Sequence, residues 1–194
     1  MSTSLPVIES ERLIVRPFVL EDLDVAHQVL SDAWDEPMDE RQSRLPDRER
    51  WLRWSIANEI ALAELYQPPY GDRAVVLKSE NRLVGSVGLV PSIGPFGQLP
   101  GFPEYRGSRR WFAEFGLYWA VDPAYQGRGI ATEAATALIE RIVDQFRLGR
   151  IIATTSFDNL RSQAVMGKLG MEILRNPEPE PAFFQVVGVR EFGP

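Results

Sequence analysis

Apolar residues in Arg12-Leu-Ile-Val-Arg16 form a short run closed by Pro17, and directly afterwards Leu23, Ala26 and Leu30 recur at helical intervals. The pattern predicts a strand and then a helix. Residues 31–45 are polar and turn-rich, and Pro46-Asp47 reads as the start of a second helix carrying Leu52, Ile56, Ile60 and Ala63 on one face. Tyr66-Gln-Pro-Pro-Tyr-Gly71 ends it. Next, Ala74-Val-Val-Leu77 and the run from Leu83 to Val90 flank Ser79-Glu-Asn-Arg82, a hairpin by length and turn chemistry.

From Pro91 to Gly107 four prolines (91, 95, 100, 103) and four glycines (94, 97, 101, 107) interrupt any regular element. The segment reads as a long loop, either a substrate-facing flap or a mobile excursion. Trp111 to Val121 is predicted to be the central strand. A helix follows, with Ala131, Ala135, Leu138, Ile142 and Phe146 close to a period of 3.6, the mark of a core-facing stripe. Arg150 to Thr155 reads as a strand, Asn159 to Leu169 as a short helix stopped by Gly170, and Phe183 to Arg190 as the last strand. Asn176-Pro-Glu-Pro-Glu-Pro181 is a stiff acidic connector. No internal repeat or linker divides the chain, so residues 1–194 are expected to form one mixed α/β domain.

Composition narrows the chemistry. The 194 residues, 44% of them hydrophobic, suffice for one domain with a core. With 27 acidic and 21 basic residues the net charge is -6, which argues against a general binder of nucleic acid or anionic membrane and suits a cationic or amine substrate. The absence of cysteine excludes disulfides, thiolate metal ligands and an acyl-cysteine intermediate. One histidine, His27, leaves little for a zinc site, and no metal is expected. Met-Ser-Thr-Ser-Leu-Pro lacks the basic and apolar regions of a leader, and no apolar run approaches the roughly eighteen residues of a membrane span, so a cytoplasmic protein is expected.

The most informative stretch is residues 116–133, a strand, a tight turn and a helix start. Gly127 and Gly129 let the backbone approach a ligand, and the amides opening the next helix point at whatever sits above them, where the helix dipole favours a phosphate. An NTPase loop would need a lysine after its last glycine, and none is present. A dinucleotide fingerprint would need a third glycine where Thr132 stands and an acid near Arg150. What remains is Gln126-Gly-Arg-Gly129-Ile-Ala131, followed by Thr132-Glu133-Ala134 and, downstream, by Asn159-Leu-Arg-Ser162 and Lys168-Leu-Gly170-Met171. This resembles the Arg/Gln-x-x-Gly-x-Gly/Ala signature of the GNAT acetyltransferases, and in particular the subgroup of ribosomal-protein N-terminal acetyltransferases. The resemblance runs from about Glu11 to Glu191, its specific motifs lying in residues 114–171.

The resemblance implies a mixed, mostly antiparallel twisted sheet flanked by helices, with splayed central strands. It implies acetyl-CoA as cosubstrate: amides of Gln126, Gly127, Arg128, Gly129, Ile130, Ala131 and Thr132 on the pyrophosphate, the strand end Trp119, Ala120 and Val121 pairing with the pantetheine arm, and Asn159 with Ser162 near the cofactor. Asn159 is also read as an N-cap. Gly116 within the strand points either to a bulge that frees an amide near Tyr118 or Trp119, or to a glycine that accommodates a neighbour. A freed amide aimed at an oxyanion is typically worth about 2.7–4 kcal/mol of barrier.

Glu114 is read as the best candidate for general base or else as an exposed or salt-bridged edge charge, with His27 a second candidate base. The family often carries a proton-donating tyrosine seven residues after the helix asparagine; here that position is Met166, leaving either Tyr118 as the acid or departure of the thiolate toward water. Trp51, Trp54, Trp111, Tyr66, Tyr70 and Tyr105 fall in the segments expected to form the acceptor wall, with Glu104 as a nearby acid. The expected reaction is acetyl transfer from acetyl-CoA to a primary amine, a protein N-terminal α-amine or a small molecule such as an antibiotic or polyamine. A non-catalytic acyl-CoA-binding module and a scaffold using the Pro91–Gly107 loop are the readings from other classes. A monomer or homodimer is expected, with no nucleic-acid or membrane partner.

Overall fold

The structure, a computed structural model, describes residues 4–193. Eight strands follow one another in the hydrogen-bonded order β1-β2-β3-β4-β5-β6-β8-β7. The residues group into two compact units, one holding the chain up to Leu89 together with Tyr118–Phe146, the other Val90–Leu117 together with everything from Arg147. β4 (Arg82–Gly94) and β5 (Phe112–Val121) each run through both.

In the first unit β1 (Ile8–Glu9), β2 (Leu13–Arg16), β3 (Gly71–Leu77) and the start of β4 pair antiparallel. The predicted β3–β4 hairpin forms, with a register shift between Val75 and Val76. α1 (Leu23–Ala33) and α2 (Met38–Glu64) cover one face, where Phe18, Ala26, Val29, Leu52, Ala74, Val76 and Leu83 form a core joined by Trp51 and Ile56. α3 (Ile130–Phe146) buries Ala135, Leu138 and Ile142 of the expected stripe; Ala131 and Phe146, at its ends, are half-buried.

α2 corrects the sequence reading, because it begins at Met38, eight residues before Pro46, and encloses the proline. A proline lacks the amide for the preceding turn and disfavours helix at the residue before it, which is why a start was expected there. One ion pair spans the proline, Arg48 with Glu36 at 3.2 Å, while ahead of it Arg41 holds Asp32 of α1 and Arg44 holds Glu40, each at 2.5 Å. The arginines lie three and four residues apart and so share a face.

In the second unit β6 (Arg150–Thr155), β7 (Glu172–Arg175) and β8 (Val186–Glu191) pair antiparallel, β8 between the other two. α4 (Leu160–Lys168) connects β6 to β7, a strand the sequence reading missed. β5 meets β6 in parallel at Gly116↔Ile152, the register pair recorded among the described residues, as befits central strands that part. The last strand starts at Val186, not Phe183, because Ala182–Phe184 make a 3-10 turn that plants Phe184 in the core.

The Pro91–Gly107 segment is neither a flap nor a mobile excursion. β4 continues through Pro91 to Gly94, and 3-10 turns at Phe96–Gln98 and Pro103–Tyr105 follow. Phe96, Leu99 and Phe102 are fully buried and pack with Ile152, Leu174, Phe184, Val187 and Val189. Burial of three such side chains, at about 1.5–3 kcal/mol each, outweighs the disorder that prolines and glycines suggest.

Candidate functional site

At the end of β5 the Asp122 carboxylate accepts a hydrogen bond from the Ala124 amide at 2.9 Å and starts the 3-10 turn Pro123–Tyr125. Gly127 and Gly129 follow with φ of +75° and +79°, a backbone that other residues adopt only with strain. The first hydrogen bond of α3 runs from the Glu133 amide to the Gly129 carbonyl, 2.9 Å. The amides of Ile130, Ala131 and Thr132 therefore precede the ladder and have no intrahelical acceptor. A Cβ built on Gly127 meets nothing within 4 Å, so the mouth of this turn is open. Glycine turn, leading amides and helix dipole together fit a pyrophosphate, the charged part of coenzyme A.

The turn is braced from the residues between β1 and β2. Arg12 Nη1 donates to the Arg128 carbonyl at 3.0 Å, and Glu133 accepts from Ser10 Oγ at 2.6 Å and from the Arg12 amide and Nε at 2.9 and 2.7 Å. Burial raises the Glu133 pKa, but the hydrogen bonds from Ser10 and Arg12 outweigh it and the net displacement is downward. Its negative charge at the helix start is thereby matched by Arg12. Gln126 folds its side chain back, Nε2 donating to the Val121 carbonyl at 2.9 Å, so it holds the strand end.

Upstream, the Asp122 amide donates to the Val84 carbonyl at 2.9 Å, and a Cβ on Gly85 would meet the Ala120 carbonyl at 2.4 Å and Val121 Cα at 3.3 Å. β4 and β5 thus run antiparallel here, a register that, continued along the pair, would set Gly88 opposite Tyr118, and the Asp72 charge does act on the Tyr118 phenol. Gly88 also pairs with Asp72 on β3. A Cβ at Gly88 would stand 3.0 Å from Asp72 Oδ1, so the carboxylate lies over β4 in the direction of Tyr118.

Above this row sit residues of α1 and α2. Trp51 donates a hydrogen bond to Asp72, and Arg48 lies with its guanidinium carbon 4.7 Å from the Trp34 ring centre and 5.6 Å from that of Trp51. Arg48 is tied to Glu36, which accepts from Ser31 Oγ at 2.6 Å. Burial pushes the Asp72 carboxyl up to about 6, only partly opposed by Trp51 and Arg48. Burial, and after it the Asp72 charge, push the Tyr118 phenol far up as well, so it stays neutral. Its hydroxyl is buried beside the Trp34 indole, which partly opposes that rise, and Arg48 Nε is buried without a hydrogen-bond partner. The sequence reading missed Asp72 because Gly71-Asp72-Arg73 reads as turn; the usable signal was a charged pair heading a strand, with Trp51 already singled out.

The other expected residues have distinct surroundings. Glu114, nearly buried, receives Arg150 Nη2 at 2.5 Å and Nε at 3.1 Å, and Tyr105 Oη at 3.3 Å. Arg150 also holds Glu104 at 2.8 Å and lies 4.7 Å from the Phe102 ring centre. Despite the opposing cost of burial, Glu114 and Glu104 raise the Arg150 pKa. Both Glu114 oxygens are thus engaged by Arg150, and one of them also by Tyr105. Gly116 admits close approach of β4: a Cβ there would stand 2.8 Å from Ser92 Cβ and 3.0 Å from the Val90 carbonyl.

Asn159 caps α4, its side chain accepting from the Ser162 amide at 3.1 Å. Met166 is fully buried. His27 is half-buried on α1, its Nδ1 without a hydrogen bond. The expected aromatic wall is dispersed: Trp54 and Trp111 are about half exposed, Tyr66 is exposed, and Tyr105 stacks on Phe112 at 4.0 Å. Only Trp51 of the six stands in the Asp72 cluster. Among the described residues no helix is long and apolar enough to cross a membrane, and no three His, Cys, Asp or Glu side chains gather as a metal site.

A mixed sheet with a glycine turn between a strand and a helix is an arrangement suited to gripping a phosphorylated ligand by backbone amides. The Acetyltransferase (GNAT) domain family matches residues 12–172, and the chain belongs to that family as an acetyl-CoA-dependent N-acetyltransferase. It is 27% identical over 168 residues to an uncharacterized N-acetyltransferase, YnaD, of Bacillus subtilis, covering 84% of this chain and 81% of that protein. A putative ribosomal-protein-serine acetyltransferase from Vibrio cholerae shares the fold with a TM-score of 0.66 at 17% identity, over 99% of this chain and all of the other. So does the microcin C7 self-immunity acetyltransferase MccE, solved with acetyl-CoA and AMP, with a TM-score of 0.65 at 12% identity over 94% of both chains.

Proposed function

We propose that the acceptor is a primary amine, with a protein N-terminal α-amine as the preferred class, and that residues 1–194 act as one acetyltransferase domain. The observation that carries the acetyl-CoA side is the turn from Gln126 to Thr132, with its two positive-φ glycines and three leading amides. Backbone donors there are assigned to the pyrophosphate, the strand end Trp119, Ala120 and Val121 to the pantetheine arm, and Asn159 with Ser162 to the cofactor by family resemblance. Acetyl-CoA supplies the activated acetyl thioester. The neutral Tyr118 phenol is assigned the role of hydrogen-bond donor, since its raised pKa makes it a poor source of a transferable proton. The family match running through both units supports the single-domain reading. Support for a protein acceptor comes from the Vibrio cholerae relative, named for a ribosomal-protein serine. The immunity acetyltransferase keeps a small-molecule amine in view.

The test is acetyl-CoA-dependent thiol release against pooled peptide N-termini, polyamines, amino acids and aminoglycosides. The chain has no cysteine, so protein thiols contribute no background. Release with peptides alone supports the N-terminal reading; release with a small-molecule pool alone replaces it. Silence in every pool with acetyl-CoA bound overturns the proposal in favour of a binding module.

A further inference from the structure

We propose that Asp72 is the proton acceptor for the substrate amine, and that the row Asp72–Gly88–Tyr118, roofed by Trp34, Arg48 and Trp51, receives the amine head group. This rests on the acetyltransferase reading above and assigns the base within it.

Three observations meet at this row. Asp72 is a carboxylate brought under two helices at the start of a strand, with Gly88 leaving room for it to lean across β4. Two inter-strand steps of about 4.8 Å separate its backbone from that of Tyr118, a gap that the two side chains and a small cation can share. Arg48 Nε is buried and unpartnered, a costly state for a polar atom unless a ligand or water completes it, and the buried Tyr118 hydroxyl has the Trp34 indole, itself a donor, as its neighbour, so its own proton has no acceptor. Finally, Tyr118 immediately precedes the strand end Trp119–Val121 assigned to the pantetheine arm, so the row opens beside the place where the thioester is expected.

The chemistry follows. An amine arrives as an ammonium ion, attracted by the Asp72 charge and by the indole faces. Asp72 takes one proton and becomes a carboxylic acid, leaving the nitrogen lone pair free. The nitrogen bonds to the acetyl carbon as the carbon–sulfur bond breaks; the second proton leaving nitrogen balances the thiolate as thiol, and Asp72 returns its proton to solvent. The groups facing Asp72 are Trp51 and Arg48 from α2 and Tyr118 from β5, with Glu36 offsetting the Arg48 charge. Their sum leaves the carboxyl near 6, suited to a base at neutral pH. Glu114, held by Arg150, is left to anchor its own unit.

The experiment compares wild type with Asp72→Asn, using whichever amine pool the wild type acetylates, and follows kcat against pH, acetyl-CoA affinity and intrinsic tryptophan fluorescence. The expected result is a loss of roughly 100-fold in kcat for D72N, the size of a general-base contribution, with acetyl-CoA affinity within about twofold. The wild-type rate should show an ascending limb near pH 6 that D72N lacks, and Trp51 should report the same titration in wild type alone. If wild type turns over and D72N keeps more than a tenth of its rate, or if wild-type fluorescence shows no transition near pH 6, the assignment of Asp72 is wrong while the acetyltransferase reading stands. A wild type silent in every pool removes both.

Discussion

Burial lifts the Asp72 carboxyl from 3.8 to about 6, so between those values the folded chain holds a proton that the unfolded chain has released. Stability therefore falls as pH rises through that window, and the full deficit is present above pH 6. Two pKa units correspond to at most about 3 kcal/mol. Asp72→Asn should consequently raise the urea midpoint at pH 7.5, and the gain should vanish as pH falls below 4. A fall in stability at pH 7.5 would mean that the attraction to Arg48 outweighs desolvation. Glu114 predicts the opposite pattern. Glu114→Gln leaves Arg150 with a neutral partner in a nearly buried place and should cost roughly 1–3 kcal/mol of stability while changing kcat little. A large kcat loss with unchanged stability would restore Glu114 as the base. Neither distinction was legible in the sequence, where Glu114 reads as an acid on a strand and Asp72 as part of a turn; what separates them is an arginine 36 residues downstream of the first and Trp51 with Arg48 of α2 beside the second.

Among the elements, the two central motifs were readable because each depends on local chemistry. Alternation and turn residues gave the β3–β4 hairpin, and glycine spacing gave the turn into α3. α2 and the 91–107 segment were misread for a common reason: proline and glycine weigh heavily in local patterns, whereas the forces that override them come from residues far along the chain. In α2 the override is electrostatic, and that makes Pro46 testable. The proline removes one helical hydrogen bond and crowds the preceding turn, at a cost of up to about 3 kcal/mol in a helix interior. Pro46→Ala should therefore stabilise the protein by about 1–3 kcal/mol, read as a higher urea midpoint with an unchanged slope. A loss would show that the proline sets a bend on which the Arg48–Glu36 contact depends. In the 91–107 segment the override is packing, and its trace in the sequence is the three-residue spacing of Phe96, Leu99 and Phe102.

At the scale of the whole chain, charge is the property to test, because it bears on the acceptor without depending on any single residue. The excess of acids gives a net charge of -6, and among the described residues nine of the 19 arginines are held in ion pairs, from Arg12 with Glu133 to Arg150 with Glu114. Such a protein attracts a multiply charged cation over distances set by the Debye length, about 10 Å at 0.1 M salt. A single ammonium drawn into the Asp72 row feels mainly the local carboxylate, which the surrounding indoles shield from salt. If the acceptor carries several positive charges, as a polyamine or a basic peptide does, its KM should rise severalfold between 0.05 and 0.5 M salt, on the order of the screening expected for surface fields, while kcat holds. A monoamine or an uncharged peptide N-terminus should show a nearly flat KM over the same range. Measuring both series on one preparation separates recognition by the chain's field from recognition by the aromatic row. A flat response for the polycation would leave the Asp72–Tyr118 row as the source of amine selectivity.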